Sequence, residues 1–171
     1  MSISYRYGTK NDLPKLKELA VNSWGQFQSK LTIENWEKLY GNLSNEETYI
    51  ELLDKSTCFI STTNDGEIVG MAFLVPKGNP TDIYDKDWCY IRFVTVAPKF
   101  AGQGIGRKLT RLCIDAARQN GENTIALHTS EFMDTARHIY ESVGFKVLKE
   151  IDQRLGKRYW LYKLDLNENI G

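Results

Sequence analysis

Residues 90–109 read YIRFVTVAPKFAGQGIGRKL, and they combine a buried strand, a glycine-rich loop and the start of a helix. The segment from Trp88 to Val96 is almost continuously apolar apart from Arg92, which is typical of a central strand covered on both faces. Three alternating glycines follow, and apolar residues then recur at helical spacing from Leu109 to Ala117. Strand, glycine loop and helix in this order predict a site for an anionic ligand.

The glycine loop has the features of a phosphate cradle. Gly102, Gly104 and Gly106 tolerate backbone conformations in which successive N–H groups converge, and a helix N-terminus adds free donors and partial positive charge. Residues 99–118 contain five basic side chains and one acid, namely Lys99, Arg107, Lys108, Arg111, Arg118 and Asp115. The alternative is a plain turn before a solvated basic helix face.

Two nucleotide-binding motifs fit this loop poorly. A Walker loop requires Lys and then Ser or Thr after its last glycine, whereas Arg107 follows Gly106. A dinucleotide-binding loop requires a glycine where Arg107 stands, and its glycines follow the strand directly. Glu131, at the end of the next predicted strand, could still act as the acid that binds ribose. A nucleotide- or NAD-binding domain therefore stays open as an alternative.

Composition and charge exclude several classes of protein. The chain has 171 residues with 22 basic and 22 acidic side chains, which predicts one domain over residues 1–171 and argues against nucleic acid as a partner. No apolar stretch approaches the roughly 20 residues of a membrane helix, and no signal peptide is visible. The three cysteines form no Cys-x-x-Cys pair and have no histidine clustered nearby, so we expect a cytoplasmic protein without a structural metal site.

The other segments predict a mixed α/β fold. Their order is one strand, two to three helices, three strands, a helix, a strand, a helix and two strands. Asn64-Asp65-Gly66 predicts a hairpin between two of the strands, and Gly41 is a predicted break between the second and third helices. A helical crossover joins the strands around Val94 and Leu127, which should therefore be parallel.

The motifs resemble those of the GNAT-type N-acetyltransferase superfamily. Its acetyl-coenzyme A motif is similar to Val94-Thr-Val96-Ala-Pro98 followed by Ala101-Gly-Gln-Gly104-Ile-Gly106. Its second motif is similar to residues 133–145, MDTARHIYESVGF, and the order of elements agrees over nearly the whole chain. The resemblance implies a mixed, mostly antiparallel sheet with a splayed parallel central strand pair and helices on both faces.

The resemblance also implies how acetyl-coenzyme A binds. The strand of Val94 and Val96 pairs with the pantetheine arm, and the glycine loop holds the pyrophosphate. Ala101 stands where the family usually has Arg or Gln, and Met133 where it usually has Asn; both changes remove a side-chain contact and leave the backbone cradle. The implied binding residues are Val94, Val96, Ala101, Gly102, Gln103, Gly104, Ile105, Gly106, Arg107, Lys108, Met133 and Ala136.

Catalysis in this family is direct attack of an amine on the thioester. Tyr140 matches the residue that donates a proton to the departing thiolate, although it also lies on the apolar stripe of its helix and could be a core residue. The position at which the family often has a glutamate base is Tyr90. The substitutes considered are Asp85, Asp87, Glu131, His128 and a water relay.

The acceptor implied by the resemblance is a primary amine of a small molecule or a peptide N-terminus. Residues 34–54 hold six acids and one lysine, and acids at positions 82, 85 and 87 follow. Together with nearby aromatics they would form an acidic rim suited to a cationic amine; a solvated helix face is the alternative. A non-catalytic acyl-coenzyme A-binding module on the same fold and an interaction domain without a phosphate ligand are the other functions considered. We expect no membrane partner, and a homodimer is compatible with the terminal hairpin.

Overall fold

The computed structural model describes residues 2–167, which form one seven-stranded sheet with helices on both faces. The strands are β1 (Ser4–Tyr7), β2 (Thr57–Thr62), β3 (Ile68–Val75), β4 (Cys89–Val96), β5 (Thr124–Ser130), β6 (Lys146–Arg154) and β7 (Lys157–Asp165). The helices are α1 (Leu13–Trp24), α2 (Ile33–Leu43), α3 (Glu46–Lys55), α4 (Ile105–Gln119) and α5 (Asp134–Ser142). Strand order is β1-β2-β3-β4-β5-β7-β6. Among these described strands only β4 and β5 pair in parallel, so the predicted fold class is confirmed.

One predicted boundary is wrong. Helix α2 continues through Gly41 to Leu43, and the break follows it at Asn45. A glycine inside a helix costs only about 1 kcal/mol, which the packing of this helix outweighs. The Asn45 side chain accepts a hydrogen bond from the backbone N–H of Glu47 and so starts α3 as a separate helix.

Each face of the sheet has its own apolar core. Helices α1, α2 and α3 cover one face, where Leu16, Leu43 and Tyr49 pack against the sheet. Helices α4 and α5 cover the other, and the stripe containing Leu109 and Cys113 is fully buried there. Cys113 therefore behaves as a small apolar core residue. None of the helices within residues 2–167 is long and apolar enough to cross a membrane.

The turn residues of two hairpins have the backbone conformations that tight hairpin turns require. Gly66, between β2 and β3, has a φ of 84° and closes the predicted Asp-Gly turn. Between β6 and β7, Leu155 and Gly156 have φ values of 56° and 72°, which match the mirror-image turn that joins twisted strands. The second hairpin places the end of β6 beside the centre of the molecule, where the two parallel strands separate.

Candidate active site

The site begins where β4 and β5 separate. The parallel strands pair at only two positions, Cys89 with Ile125 and Tyr90 with Ala126. Beyond them β4 continues to Val96 and β5 to Ser130 without further pairing between the two. The edge of β4 from Ile91 onward therefore carries backbone N–H and C=O groups without a strand partner on that side. Such an edge can pair with the amides of an extended ligand.

A bulge in β4 sets the direction of this edge. Phe93 has a φ of 53°, and it and Val94 lie together opposite Ala72 of β3. A non-glycine residue at positive φ costs about 1–3 kcal/mol, so the surroundings must hold it. The Phe93 ring is held by stacking on Tyr49, with 5.8 Å between ring centroids, and the Phe93 carbonyl accepts a 3.1 Å hydrogen bond from the Thr95 hydroxyl.

The glycine loop ends at an uncapped helix N-terminus. Gly102 and Gly104 have φ values of 80° and 81°, which side chains disfavour, and Gly104 is the N-cap of α4. No described side chain caps the helix, and Lys108 N–H makes the first hydrogen bond within it, to the Gly104 carbonyl at 3.0 Å. The preceding N–H groups of α4 thus remain available to an anion. This arrangement fits the pyrophosphate of coenzyme A.

Two cavities meet where the strands separate. One, of about 410 Å³, extends from β4 and β5 toward α2 and the end of β6. The other, of about 430 Å³, extends toward the glycine loop and the 3₁₀ turn Gly25–Lys30. We call them the acceptor cavity and the coenzyme cavity, after the ligands that the resemblance described above leads us to expect there. Both are lined by Trp24, Val94, Met133, Ala136 and Tyr140.

The structure brings part of the predicted binding set into these cavities. Val96, Ala101 and Gly106 line the coenzyme cavity, and Val94, Met133 and Ala136 line both. Ile105 lies in the core, so only its backbone can serve a ligand. The others lie outside both linings, on the exposed loop and first turn of α4: Gly102, Gln103, Gly104, Arg107 and Lys108. Their contacts with a coenzyme stay predictions.

A comparison with protein families decides the membership of the chain. The model described as "Acetyltransferase (GNAT) family" matches residues 16–145, which is well over half of the sequence. The chain belongs to the GNAT acetyltransferase family. The resemblance seen in the two motifs is thereby confirmed.

Individual relatives of this GNAT domain share only a minority of its residues. A protein of Xenopus tropicalis, named "Probable N-acetyltransferase camello", is 34% identical over 104 residues, which cover 61% of this chain and 44% of that protein. Across the curated relatives compared, the chain spans 39% to 59% of their length. Among solved structures, the PaiA N-acetyltransferase of Thermoplasma acidophilum with coenzyme A has a TM-score of 0.78 at 18% identity, with 96% of this chain and 99% of that chain covered. YncA of Salmonella typhimurium, solved with its cofactor acetyl-CoA, has a TM-score of 0.70 at 19% identity, with 100% and 98% covered. At these identities the structures show a shared fold.

Tyr140 lies at the junction of the two cavities. Its ring packs against Phe145 with centroids 6.1 Å apart, and burial raises the pKa of its phenol. No described residue makes a hydrogen bond to its hydroxyl, and the hydroxyl oxygen is not completely enclosed by the protein. The residue is thus both a core residue and a lining residue, and its protonated hydroxyl is available to a group at the junction.

Of the candidate bases in this GNAT domain, only His128 lines the acceptor cavity. Its Nδ1 is 2.6 Å from the hydroxyl of Tyr84. Tyr90 instead donates a hydrogen bond to the Asn79 carbonyl, and Glu131 accepts one from the backbone of Arg158. Neither these two nor Asp85 and Asp87 belong to the lining of either cavity. Among residues 2–167, no three His, Cys, Asp or Glu side chains are grouped as a metal site.

We expect His128 to make folding sensitive to mild acid. Burial, with the nearby charges of Arg154 and Arg92, lowers the pKa of His128 to about 3 from its ordinary value. The unfolded chain therefore binds a proton below about pH 6.5 that the folded protein does not take up, and stability falls with pH from there to about 3. Between pH 7 and pH 5 we expect the free energy of unfolding to fall by about 2 kcal/mol. Urea unfolding at both pH values will measure it.

The matched controls use both histidines. His128→Asn should lose most of this pH dependence, while His138→Asn, at an exposed position of α5, should keep it. An equal pH dependence in wild type and His128→Asn would assign the effect to other groups.

The expected acidic rim does not form around the cavities. None of the acids of residues 34–54 lines the acceptor cavity, and the single lysine of that segment, Lys38, does. Asp82 instead contacts Arg154 at 3.6 Å. Arg92 and Arg154 are the lining residues that the sequence reasoning missed. The signal for Arg92 was visible, because it is the only charge within an otherwise apolar central strand.

Proposed function

We propose that this GNAT domain transfers the acetyl group of acetyl-coenzyme A to a primary amine. One observation carries the proposal: the unpaired edge of β4 leads from the uncapped N-terminus of α4 to a junction lined by Tyr140. An extended ligand with a pyrophosphate at one end and a reactive thioester at the other fits that path. The names of the curated relatives support the same activity.

Different residues act on different parts of the ligand along this path. Backbone N–H groups at the start of α4 bind the pyrophosphate, and the free edge of β4 orients the pantetheine arm. A backbone N–H beside Val94 polarises the thioester carbonyl as negative charge develops on its oxygen. The bulge at Phe93 places Val94 at the junction, in the lining of both cavities.

The proton balance involves Tyr140 and the solvent. When bound, acetyl-coenzyme A supplies the acetyl group: a C–N bond to the amine forms, the C–S bond breaks, and the electron pair stays on sulfur. The Tyr140 hydroxyl donates a proton to that sulfur and recovers it from water. The amine loses its extra protons to solvent, because the lowered pKa of His128 makes its imidazole a poor proton acceptor. The acceptor cavity, at about 410 Å³, suits a small molecule or a peptide end.

Thermal unfolding with separate ligands tests the binding half of the proposal. Acetyl-coenzyme A and coenzyme A should both raise the melting temperature, whereas NADH and ATP should not. A ligand at 1,000 times its dissociation constant adds about 4 kcal/mol, which corresponds to roughly 10 °C for a domain of this size. Stabilisation by NADH alone would favour the nucleotide-binding alternative, and no shift with any ligand would overturn the coenzyme site.

Release of free thiol in the presence of amines tests the catalytic half. Coenzyme binding without amine-dependent thiol release across a broad amine panel would favour the non-catalytic acyl-coenzyme A-binding module. The cytoplasmic location stays a prediction, and a homodimer stays an arrangement with which the terminal hairpin is compatible.

A further inference from the structure

The acceptor cavity has an unusual balance of charge. Three basic side chains line it, Lys38 from α2, Arg92 from β4 and Arg154 from β6, and no aspartate or glutamate within residues 2–167 does. The rest of the lining is apolar, aromatic or neutral. An acceptor whose only charge is its ammonium group would meet repulsion here and no carboxylate to pair with.

These cations have little compensation from the protein. Within residues 2–167, Arg92 and Lys38 form no salt bridge, and the guanidinium of Arg92 lies 5.4 Å from the centre of the Phe93 ring. Arg154 contacts Asp82 at 3.6 Å, but the Asp82 side chain is 80% exposed, so the pair is screened by water. Arg92 and Arg154 are both half-buried. A partly desolvated guanidinium group that has no carboxylate partner, or only a water-screened one, is ready to bind an anion.

The positive charges act on the same part of the cavity. Both Arg154 and Arg92 help to lower the pKa of His128, which lies between the separating strands. His128 contacts Tyr84 and lies 6.0 Å, centre to centre, from the Tyr159 ring, and no described aspartate or glutamate lines the cavity beside it. The imidazole stays neutral and leaves the guanidinium charges unbalanced.

We propose that the acceptor is a small amine that carries its own carboxylate, with Arg92 and Arg154 binding the carboxylate and the amine directed to the junction at Val94 and Tyr140. This inference rests on the proposed function, because it names the substrate class of that activity. Arginine is suited to the task, since its planar guanidinium binds a carboxylate through two parallel hydrogen bonds. Lys38, more exposed, extends the positive surface toward α2.

The same charge has a consequence for the reaction. An amine attacks only in its neutral form, and nearby positive charge lowers the pKa of an ammonium group. With three cations against one substrate carboxylate, the cavity keeps an excess of positive charge beside the amine. Deprotonation is thereby favoured at a site whose lining contains no carboxylate base.

Matched sets of amines test the inference directly. Glycine, leucine and phenylalanine would each be compared with their amides and with their decarboxylated amines, and spermidine would serve as a cationic probe. We expect kcat/KM for the amino acids to exceed that for the matched amides by about 10- to 100-fold, the range of a hydrogen-bonded charged contact. Arg92→Met and Arg154→Met should each remove most of this preference, chiefly by raising KM.

Arg158→Met is the matched control, because Arg158 lies outside the acceptor cavity and pairs with Glu150. It should keep the preference of the wild type. Binding of N-acetylated leucine and phenylalanine to the coenzyme A complex, followed by calorimetry, gives a readout that does not need turnover. Wild type should bind them, and the two cavity variants should bind them at least about 10-fold more weakly.

The outcomes separate the two proposals. Equal or better use of amides or spermidine, an unchanged preference in both arginine variants, or no binding of either acetylated amino acid would overturn the anionic acceptor. Coenzyme binding and thiol release with other amines would then still support the transferase. If coenzyme A and acetyl-coenzyme A do not raise the melting temperature of the wild type, the transferase proposal itself is overturned.

Discussion

A Gly104→Val variant will lose coenzyme A binding while remaining folded. Gly104 has a φ of 81°, and a β-branched residue there is strained by about 1–2 kcal/mol, so the loop will rearrange to a negative φ. The rearrangement moves the N–H groups that start α4 away from the pyrophosphate. Losing two hydrogen bonds to a charged group weakens binding by about 100-fold or more. Calorimetric titration with coenzyme A will measure the loss.

Gly78→Val is the control for backbone strain. Gly78 has a φ of 93° in a loop outside the described cavities, and, as at Gly104, a side chain there would meet no atom within 4 Å. Both variants should lose a similar amount of stability, and Gly78→Val should bind coenzyme A like the wild type. Unchanged affinity in Gly104→Val would remove the glycine loop from the coenzyme site.

A Tyr140→Phe variant will lower kcat with little change in coenzyme affinity. The phenol hydroxyl lies at the cavity junction without a hydrogen bond from any described residue, so its removal leaves the packing against Phe145 intact. Loss of a general acid costs about 10²- to 10⁴-fold in rate. Steady-state thiol release with a saturating amine will measure kcat, and titration with coenzyme A will measure affinity.

Tyr162→Phe separates this effect from a general loss of a buried hydroxyl. The Tyr162 side chain is fully buried, accepts a 3.4 Å hydrogen bond from Arg137 and lies outside both cavities. This variant should lose some stability and keep its kcat. Wild-type turnover in Tyr140→Phe would reduce Tyr140 to a core residue and leave proton donation to water.

The predicted elements agree with the structure where local signals are strong. Helix α4 has a regular apolar stripe, and the glycines before it have no side chain to restrict φ, so both were visible in the linear pattern. The parallel pairing of β4 and β5 followed from the helical crossover between them, because such a connection returns the chain in the same direction. The Gly41 error shows the opposite case, because packing of α2 overrode a local preference.

The acceptor side of the site depends on contacts that a linear pattern does not contain. The bulge at Phe93 contains no glycine that would mark it in the sequence. Its conformation is held by Tyr49, from a helix far away along the chain. Arg154 enters the cavity only because β7 pairs with β5 and so brings the turn of the β6–β7 hairpin to the end of β5, where β4 and β5 have separated. In α2, the number of acidic residues was a poor guide to the charge of the cavity, because packing decides which face of a helix is turned to the cavity.

The two residue pairs between β4 and β5 also bear on how the molecule holds together. Within residues 2–167 they are the only strand pairing that joins the antiparallel half β1–β4 to the antiparallel half β5–β7. The sheet therefore has a seam, and separation there breaks far fewer interstrand hydrogen bonds than opening either half. A coenzyme paired with β4 inside the cleft would lie along this seam. Bound coenzyme would then add contacts between the two halves of the sheet, which share only these two residue pairs among the described strands.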